Sequence, residues 1–291
     1  MMQYGLIGNC AISALIDGEA RIVWCCFPRF DADPVFCRLL DNDGQRGFFG
    51  VELEGRARIE QRYVENTALL ETIMLDGSGN GIKITDFAPR FELYGRMFHP
   101  TTLIRIVEPI GEAPRIRVRC RPLYNYGSQL PVITRGSNHI RYVDDVVALR
   151  LTTNAPLTFV LDETAFQIDE AIVLHFGADE SLRSGLEETV RDFHERTVGY
   201  WRLLSGRLHI PFEWQDAVIR SAITLKLCSY DETGAIIASP TTSLPETDGE
   251  NRNWDYRYCW LRDAFFVVRA LNRLGYVETM ESHLRYLFDL V

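Results

Sequence analysis

Between Asn253 and Asp263 the chain reads Asn-Trp-Asp-Tyr-Arg-Tyr-Cys-Trp-Leu-Arg-Asp, with four aromatics, two arginines and two aspartates inside ten residues. Such a mixture suits a hydroxyl-rich ring. The C–H faces of a sugar stack on aromatic rings, while paired hydroxyls match the bidentate geometry of carboxylate and guanidinium. A helix beginning near Tyr258 brings its first-turn amides and Asp263 to one rim of a pocket. The same residues also admit a packing reading, in which Trp254, Tyr256, Tyr258 and Trp260 are core and Arg and Asp form a buried pair.

Other reactive side chains offer less. Seven cysteines (10, 25, 26, 37, 120, 228 and 259) are odd in number and irregular in spacing, so neither a disulfide framework nor a CxxC zinc site is expected. Cys259 has no base nearby in sequence. The six histidines are scattered without HExxH spacing, and Gly5 and Gly8 do not make a dinucleotide fingerprint, so no cofactor is predicted. Arg29 and Asp31, in the turn Pro28-Arg-Phe-Asp31, either reach a pocket or stabilise their own turn.

The elements that must position these residues change character along the chain. Short apolar or alternating runs read as strands: Arg21–Cys26, Gly47–Leu53, Ala57–Val64, Ala68–Leu75, Gly81–Phe87, Thr101–Glu108, Arg115–Arg121, His139–Val143, Val146–Thr152, Leu157–Leu161 and Ala171–Phe176. Turn signals such as Asp43-Gly44 and Asp76–Gly81 divide them, and no helical pattern intervenes. Two packed antiparallel sheets follow from that spacing. From Ser181 to Leu204 the apolar period becomes helical, with Asp179 or Ser181 as cap. A second helix spans about Glu213–Tyr230, with Trp214, Val218, Ala222, Leu225 and Cys228 inward. Residues 239–253, rich in Pro, Thr, Ser, Asp and Gly, predict a long loop. A third helix covers about Tyr258–Leu274 and ends at Gly275 as a left-handed cap. A fourth starts near Val277 and is still patterned at Val291, leaving an apolar stripe that further helices would cover.

The bulk numbers exclude several classes of partner. The 291 residues allow two sizeable cores, and 46% apolar with 24% charged residues is ordinary globular composition. A net charge of −9 opposes binding to nucleic acid or an anionic membrane. No secretory leader and no apolar run of the ~20 residues needed to span a bilayer is present, so a cytoplasmic location is expected. Oligomeric state is not readable.

The segment Asn253–Asp263 resembles the start of the barrel in bacterial glycoside hydrolase family 15. A second match lies at Tyr4–Cys10, Ala14–Asp17, Ile22–Asp31 and Val35-Phe36, which is similar to the trehalase-like N-terminal sandwich of that family. The resemblance implies a β + α multidomain chain: a β-supersandwich domain at 1–178, a helical linker at 179–207, and at 208–291 the first helices of an incomplete (α/α)6 barrel. It implies that Arg262 and Asp263 hold the non-reducing glucose of an α-glucoside, with Trp254 and Tyr258 as weaker candidates for the pocket wall. Asp255 and Arg257 would orient that pair, and the loop Pro240–Glu246 would shape the rim. Family members invert the anomeric centre with two glutamic acids, which the resemblance puts beyond Val291. Glu246, Glu250 and Asp263 are therefore given neither role. Two rival readings remain: a carbohydrate-binding protein without catalysis, and a related sandwich-plus-barrel phosphorylase.

Overall fold

The computed structural model describes residues 4–41, 43–145, 147–242 and 253–291. Seventeen strands among them build two large antiparallel sheets and one small hairpin. The first sheet holds β1 (Gly5–Gly8), β2 (Ser13–Ile16), β3 (Ile22–Cys26), β4 (Pro34–Cys37), β5 (Phe48–Leu53), β12 (Arg115–Arg121) and β16 (Phe166–Gln167). Its order is β1-β2-β3-β5-β12-β16, with β4 paired to β3. The second contains β6 (Arg56–Tyr63), β7 (Leu70–Asp76), β8 (Gly81–Phe87), β11 (Thr102–Ile110), β13 (Val132–Arg135), β14 (His139–Val143), β15 (Ala148–Thr153) and β17 (Ile172–Ala178). Its order is β13-β14-β15-β17-β11-β8-β7-β6. The hairpin is β9 (Phe91–Leu93) with β10 (Arg96–Phe98).

Side-chain alternation explains the layering. In β12 the residues Ile116, Val118 and Cys120 point into the sandwich, while the four intervening arginines are half-buried or exposed. Phe36, Phe49 and Phe176 meet at the centre, with ring centroids 5.0 to 6.1 Å apart. Arg105 of β11 lies in this apolar interior, fully buried. It chelates its cross-strand neighbour Asp86 of β8 at 2.7 and 3.1 Å. It also donates to the Phe49 carbonyl at 2.6 Å and the Ala20 carbonyl at 2.5 Å, both from the opposite side of the sandwich. All the guanidinium's strong partners are thus supplied, as a buried charge requires.

One expected strand is a helix. Leu157–Leu161 forms α1, starting after Pro156, whose φ of −62° suits a helix start. A short unbroken apolar run carries no period-2 signal, and here the helical spacing lets Val160 bury while Leu157 and Leu161 pack on the core. Several short strands, β1, β2, β4, β9, β10, β13 and β16, fall outside the runs named from the sequence.

The helices follow in the expected order with shifted ends. The first long one, α2, spans Leu186–Gly206 and is preceded by Gly185 without a side-chain cap. Neither Asp179 nor Ser181 caps it. Asp179 instead accepts from Arg141 at 2.7 Å, and the Ser181 hydroxyl from Arg150 at 3.3 Å. The next, α3, runs Gln215–Leu227. Trp214, expected inward, sits at φ +62° and is 79% exposed, because the helix begins only after it. The buried face is Ala222, Ile223, Lys226 and Leu227, while Val218, Leu225 and Cys228 are half-buried. Helices α4 (Leu261–Arg273) and α5 (Glu278–Asp289) close the order. Between them Gly275, at φ +81°, donates to Asn272, and Tyr276 donates back to Leu271 at 3.0 Å, the double bond of a Schellman cap.

Helices and sandwich share an interior. Leu6, Phe87, Ile104 and Val173, from the outer faces of the strands, cluster with Val190, Trp201, Leu204, Ile223 and Leu271 of the helices. A polar knot closes the junction. Arg90 donates to the Asn9 carbonyl at 2.8 Å and to Asp231 at 2.6 Å, and Lys226 reaches Asp231 at 3.0 Å. Burial opposes the charge on Lys226, but Cys10 and Asp231 beside it together outweigh that and raise the ammonium above its usual range.

Candidate functional site

Beyond α3 the chain reverses at Tyr230–Ala235 and runs to Thr242 beside the segment that leads into α4. Ser239 donates to the Tyr256 carbonyl at 2.8 Å and Ala238 to that of Tyr258 at 3.3 Å, while Ile237 bridges Cys259. The Trp24 indole of β3 donates to the Pro240 carbonyl at 2.7 Å. The two sequence segments that carried the resemblance meet where Arg257 reaches Cys26. Residues 243–252, including Glu246 and Glu250 and most of the expected rim loop, lie outside the described residues.

The backbone turns at Tyr256 and Arg257 and bends at Tyr258, and the side chains of the segment divide between two sides. Trp254, Tyr256 and Trp260 gather on one side, with Trp260 6.2 Å edge-on from Trp254 and 5.5 Å from Tyr256. The Arg262 guanidinium sits 5.8 Å over the Trp260 ring and pairs with Asp263 at 3.0 Å. Asp263 occupies the first turn of α4, where the unsatisfied amides favour a carboxylate. Both side chains are accessible, Arg262 at 67% and Asp263 at 34%. An exposed pair of neighbours adds little to stability, so it is chemically available to something else.

Arg257 points the other way. It is buried, chelates Asp255 through Nε and Nη2, and donates to the Ala32 carbonyl at 2.6 Å and the Tyr126 hydroxyl at 2.9 Å. Burial works against the Asp255 carboxylate, yet hydrogen bonds from the Arg257 side chain and backbone outweigh it and hold the carboxyl below its usual range. Nη1 also touches Cys26 Sγ at 3.5 Å. Burial dominates at that thiol and pushes it up to about 11. The partners of this pair are sandwich groups, so it fastens the segment to the β-region. Tyr258, at the bend, lines a separate cavity of about 580 Å³ together with Arg257.

The packing reading of the aromatics does not hold: Trp254 and Tyr258 are 53% exposed, and Tyr256 and Trp260 are half-buried. Of the sequence candidates, Arg262, Asp263 and Trp254 come together and Tyr258 stands apart. Tyr256 and Trp260 were read only as possible core, and even spacing from Trp254 does not single them out, since Tyr258 shares it; the turn at 256–257 brings their rings together. The Arg257 docking partner, 225 residues away in sequence, left no local signal.

Comparison with known proteins places these observations. Residues 2–173 match the family described as trehalase-like, N-terminal, and residues 214–288 match glycosyl hydrolases family 15. A trehalase of Thermoplasma volcanium is 29% identical over 299 residues, covering 100% of this chain and 47% of the relative. Trehalase 1 of Sulfolobus acidocaldarius is 31% identical, covering 100% and 49%. A trehalase of Mycolicibacterium smegmatis is 28% identical, covering 99% and 47%. The chain thus spans about half the length of the curated relatives it matches. A trehalase-like N-terminal match over most of the sandwich, followed in order by a family 15 match over the helices, settles membership: this chain belongs to glycoside hydrolase family 15.

Proposed function

We propose that the protein hydrolyses α-glucosidic bonds with release of glucose, and that trehalose is the first substrate to test, since the relatives above bear that name. The observation that carries this is the accessible Arg262–Asp263 pair at the start of α4, beside the wall of Trp254, Tyr256 and Trp260. In this reading the carboxylate accepts from two hydroxyls of the terminal glucose, the guanidinium donates to another, and the rings cover an apolar sugar face. Asp263, committed to hydroxyls, is not the proton donor to the glycosidic oxygen. Inversion needs two further carboxylic acids about 6.5–9.5 Å apart, one as acid and one as base for water. We assign both to sequence following Val291, so that residues 1–291 supply the glucose-holding half of the pocket. The domain limits at 178/179 and 207/208 are part of the same proposal.

The test uses the protein extended to the length of its relatives. By NMR, maltooligosaccharide cleavage should release β-glucose first and trehalose cleavage one α- and one β-glucose, and Asp263→Ala should lose about 10²-fold in kcat/KM, the scale of two hydrogen bonds to a charged group. Full turnover in Asp263→Ala would overturn the site. Phosphorolysis is less well supported, because Arg257 and Arg262 each already hold an aspartate. Product formation that requires added phosphate would reverse that preference.

A further inference from the structure

On the side of the segment opposite Arg262 and Asp263, a cavity of about 580 Å³ opens between sandwich and helices. That size lies within the range of small-molecule sites. Four of the pieces of chain that line it are locked to one another. The sandwich loop carrying Arg29 and Asp31 is held by Arg257 at the Ala32 carbonyl, 2.6 Å away. Phe30 of the same loop packs edge-on against Tyr230, at 5.7 Å, in the turn after α3. That turn lies against α5 through His283, whose ring approaches the Gly234 carbonyl at 3.2 Å. A wall fixed at three points does not need ordering when a ligand arrives.

The lining decides the class of ligand. Arg29 and Asp31 form a two-point pair at 2.9 and 3.1 Å that remains 57% and 31% exposed, so donor and acceptor edges face outward together. Glu232 lines the same space and makes no ion pair among the described residues. Arg257 contributes at the wall, but its charge is matched by Asp255. Formal charges around the cavity nearly cancel, which disfavours a phosphate or a cation. Tyr230, Tyr258 and Tyr286 add aromatic surface. His99 Nδ1 is enclosed and lacks a protein hydrogen-bond partner among the described residues. Aromatic faces combined with balanced, paired hydrogen-bonding groups fit a neutral hydroxyl-rich ring.

We infer that this cavity is a second carbohydrate site, distinct from the Arg262–Asp263 cluster, that takes a small neutral sugar. Arg29, Asp31 and Glu232 hydrogen-bond its hydroxyls, and Tyr258 covers an apolar face. Neither Arg262 nor Asp263 lines it; only the choice of α-glucosides as probes rests on the activity proposed above.

The experiment is a ligand-observed NMR titration of the 291-residue chain with trehalose and maltose, and with inorganic phosphate as the charged control. The expected result is saturable sugar binding in the millimolar range. Arg29→Ala and Tyr258→Ala should each weaken it about tenfold, the scale of one hydrogen bond to a charged group for the first and of one stacked aromatic face for the second. Glu232→Gln gives a second, isosteric check, and unchanged melting temperatures show that the variants fold. Asp263→Ala should leave the cavity's binding in place. No saturation at tens of millimolar sugar overturns the inference, as does preferential binding of phosphate. Binding abolished by Asp263→Ala but indifferent to Arg29→Ala also overturns it while leaving the proposed active site standing. The converse pattern is the expected one and sustains the cavity, while the active-site assignment stands or falls separately on the kinetics of Asp263→Ala.

Discussion

Arg257 and Arg262 lie five residues apart and meet opposite circumstances. The first is buried among a carboxylate, a carbonyl, a hydroxyl and a thiol, and the second is largely exposed beside Asp263. Substitution should separate them. Arg257→Met leaves the Ala32 carbonyl and Asp255 short of a donor, and a loss of about 3 kcal/mol is expected by urea unfolding. Arg262→Met should change stability by less than about 0.5 kcal/mol while lowering affinity for substrate. Equal stability losses would mean that the two arginines are not divided as described. The sequence showed two Arg and two Asp with chemical potential but not which pair was structural. That choice depends on a sandwich loop more than two hundred residues earlier. Where Tyr258 sits was not legible for a related reason: the backbone there is held by pairing with Ile237–Ser239.

At the level of elements, the sheets were legible wherever residues alternate. Arg-Ile-Arg-Val-Arg-Cys-Arg at 115–121 gives one buried face without ambiguity. Short strands such as β1 and β4, buried at every position, carry no alternation, and the apolar run at 157–161 folded as helix. Caps were legible only where the backbone itself demanded a residue. Gly275 was foreseen because a left-handed C′ position favours glycine. Gly275→Ala should cost about 1 kcal/mol, the added Cβ lying 2.9 Å from the His209 ring, and a chemical denaturation series would measure it. The Arg105–Asp86 pair makes a sharper test between strands. Arg105→Met strands a buried carboxylate and should cost about 3–5 kcal/mol. The double variant Arg105→Met, Asp86→Leu should recover most of that. If the double change is as damaging as the sum of single changes, the pair does not act as a unit.

For the whole molecule, the interior shared by sandwich outer face and helices argues for joint unfolding. Calorimetry of the 291-residue chain should show one transition, and two resolved peaks would contradict a shared core. Acid sensitivity has a specific source in His175, which is buried on β17 and has its ring pKa driven down to about 4 by desolvation. The unfolded chain then binds a proton between about pH 6.5 and 4 that the folded chain refuses. Stability from this residue is complete above pH 6.5 and falls as pH drops through that window, by up to about 3 kcal/mol. His175→Leu should flatten the slope of melting temperature against pH there.

The Arg257–Ala32 contact has one more consequence. The guanidinium reads a main-chain carbonyl, which every amino acid supplies. The identities at 29 and 31 can therefore drift, or be rewritten at the bench, without unfastening the loop from the helices. Binding preference at the cavity mouth becomes an evolvable trait decoupled from assembly. A library randomised at those two positions should retain folding across most members while diversifying the sugars they select.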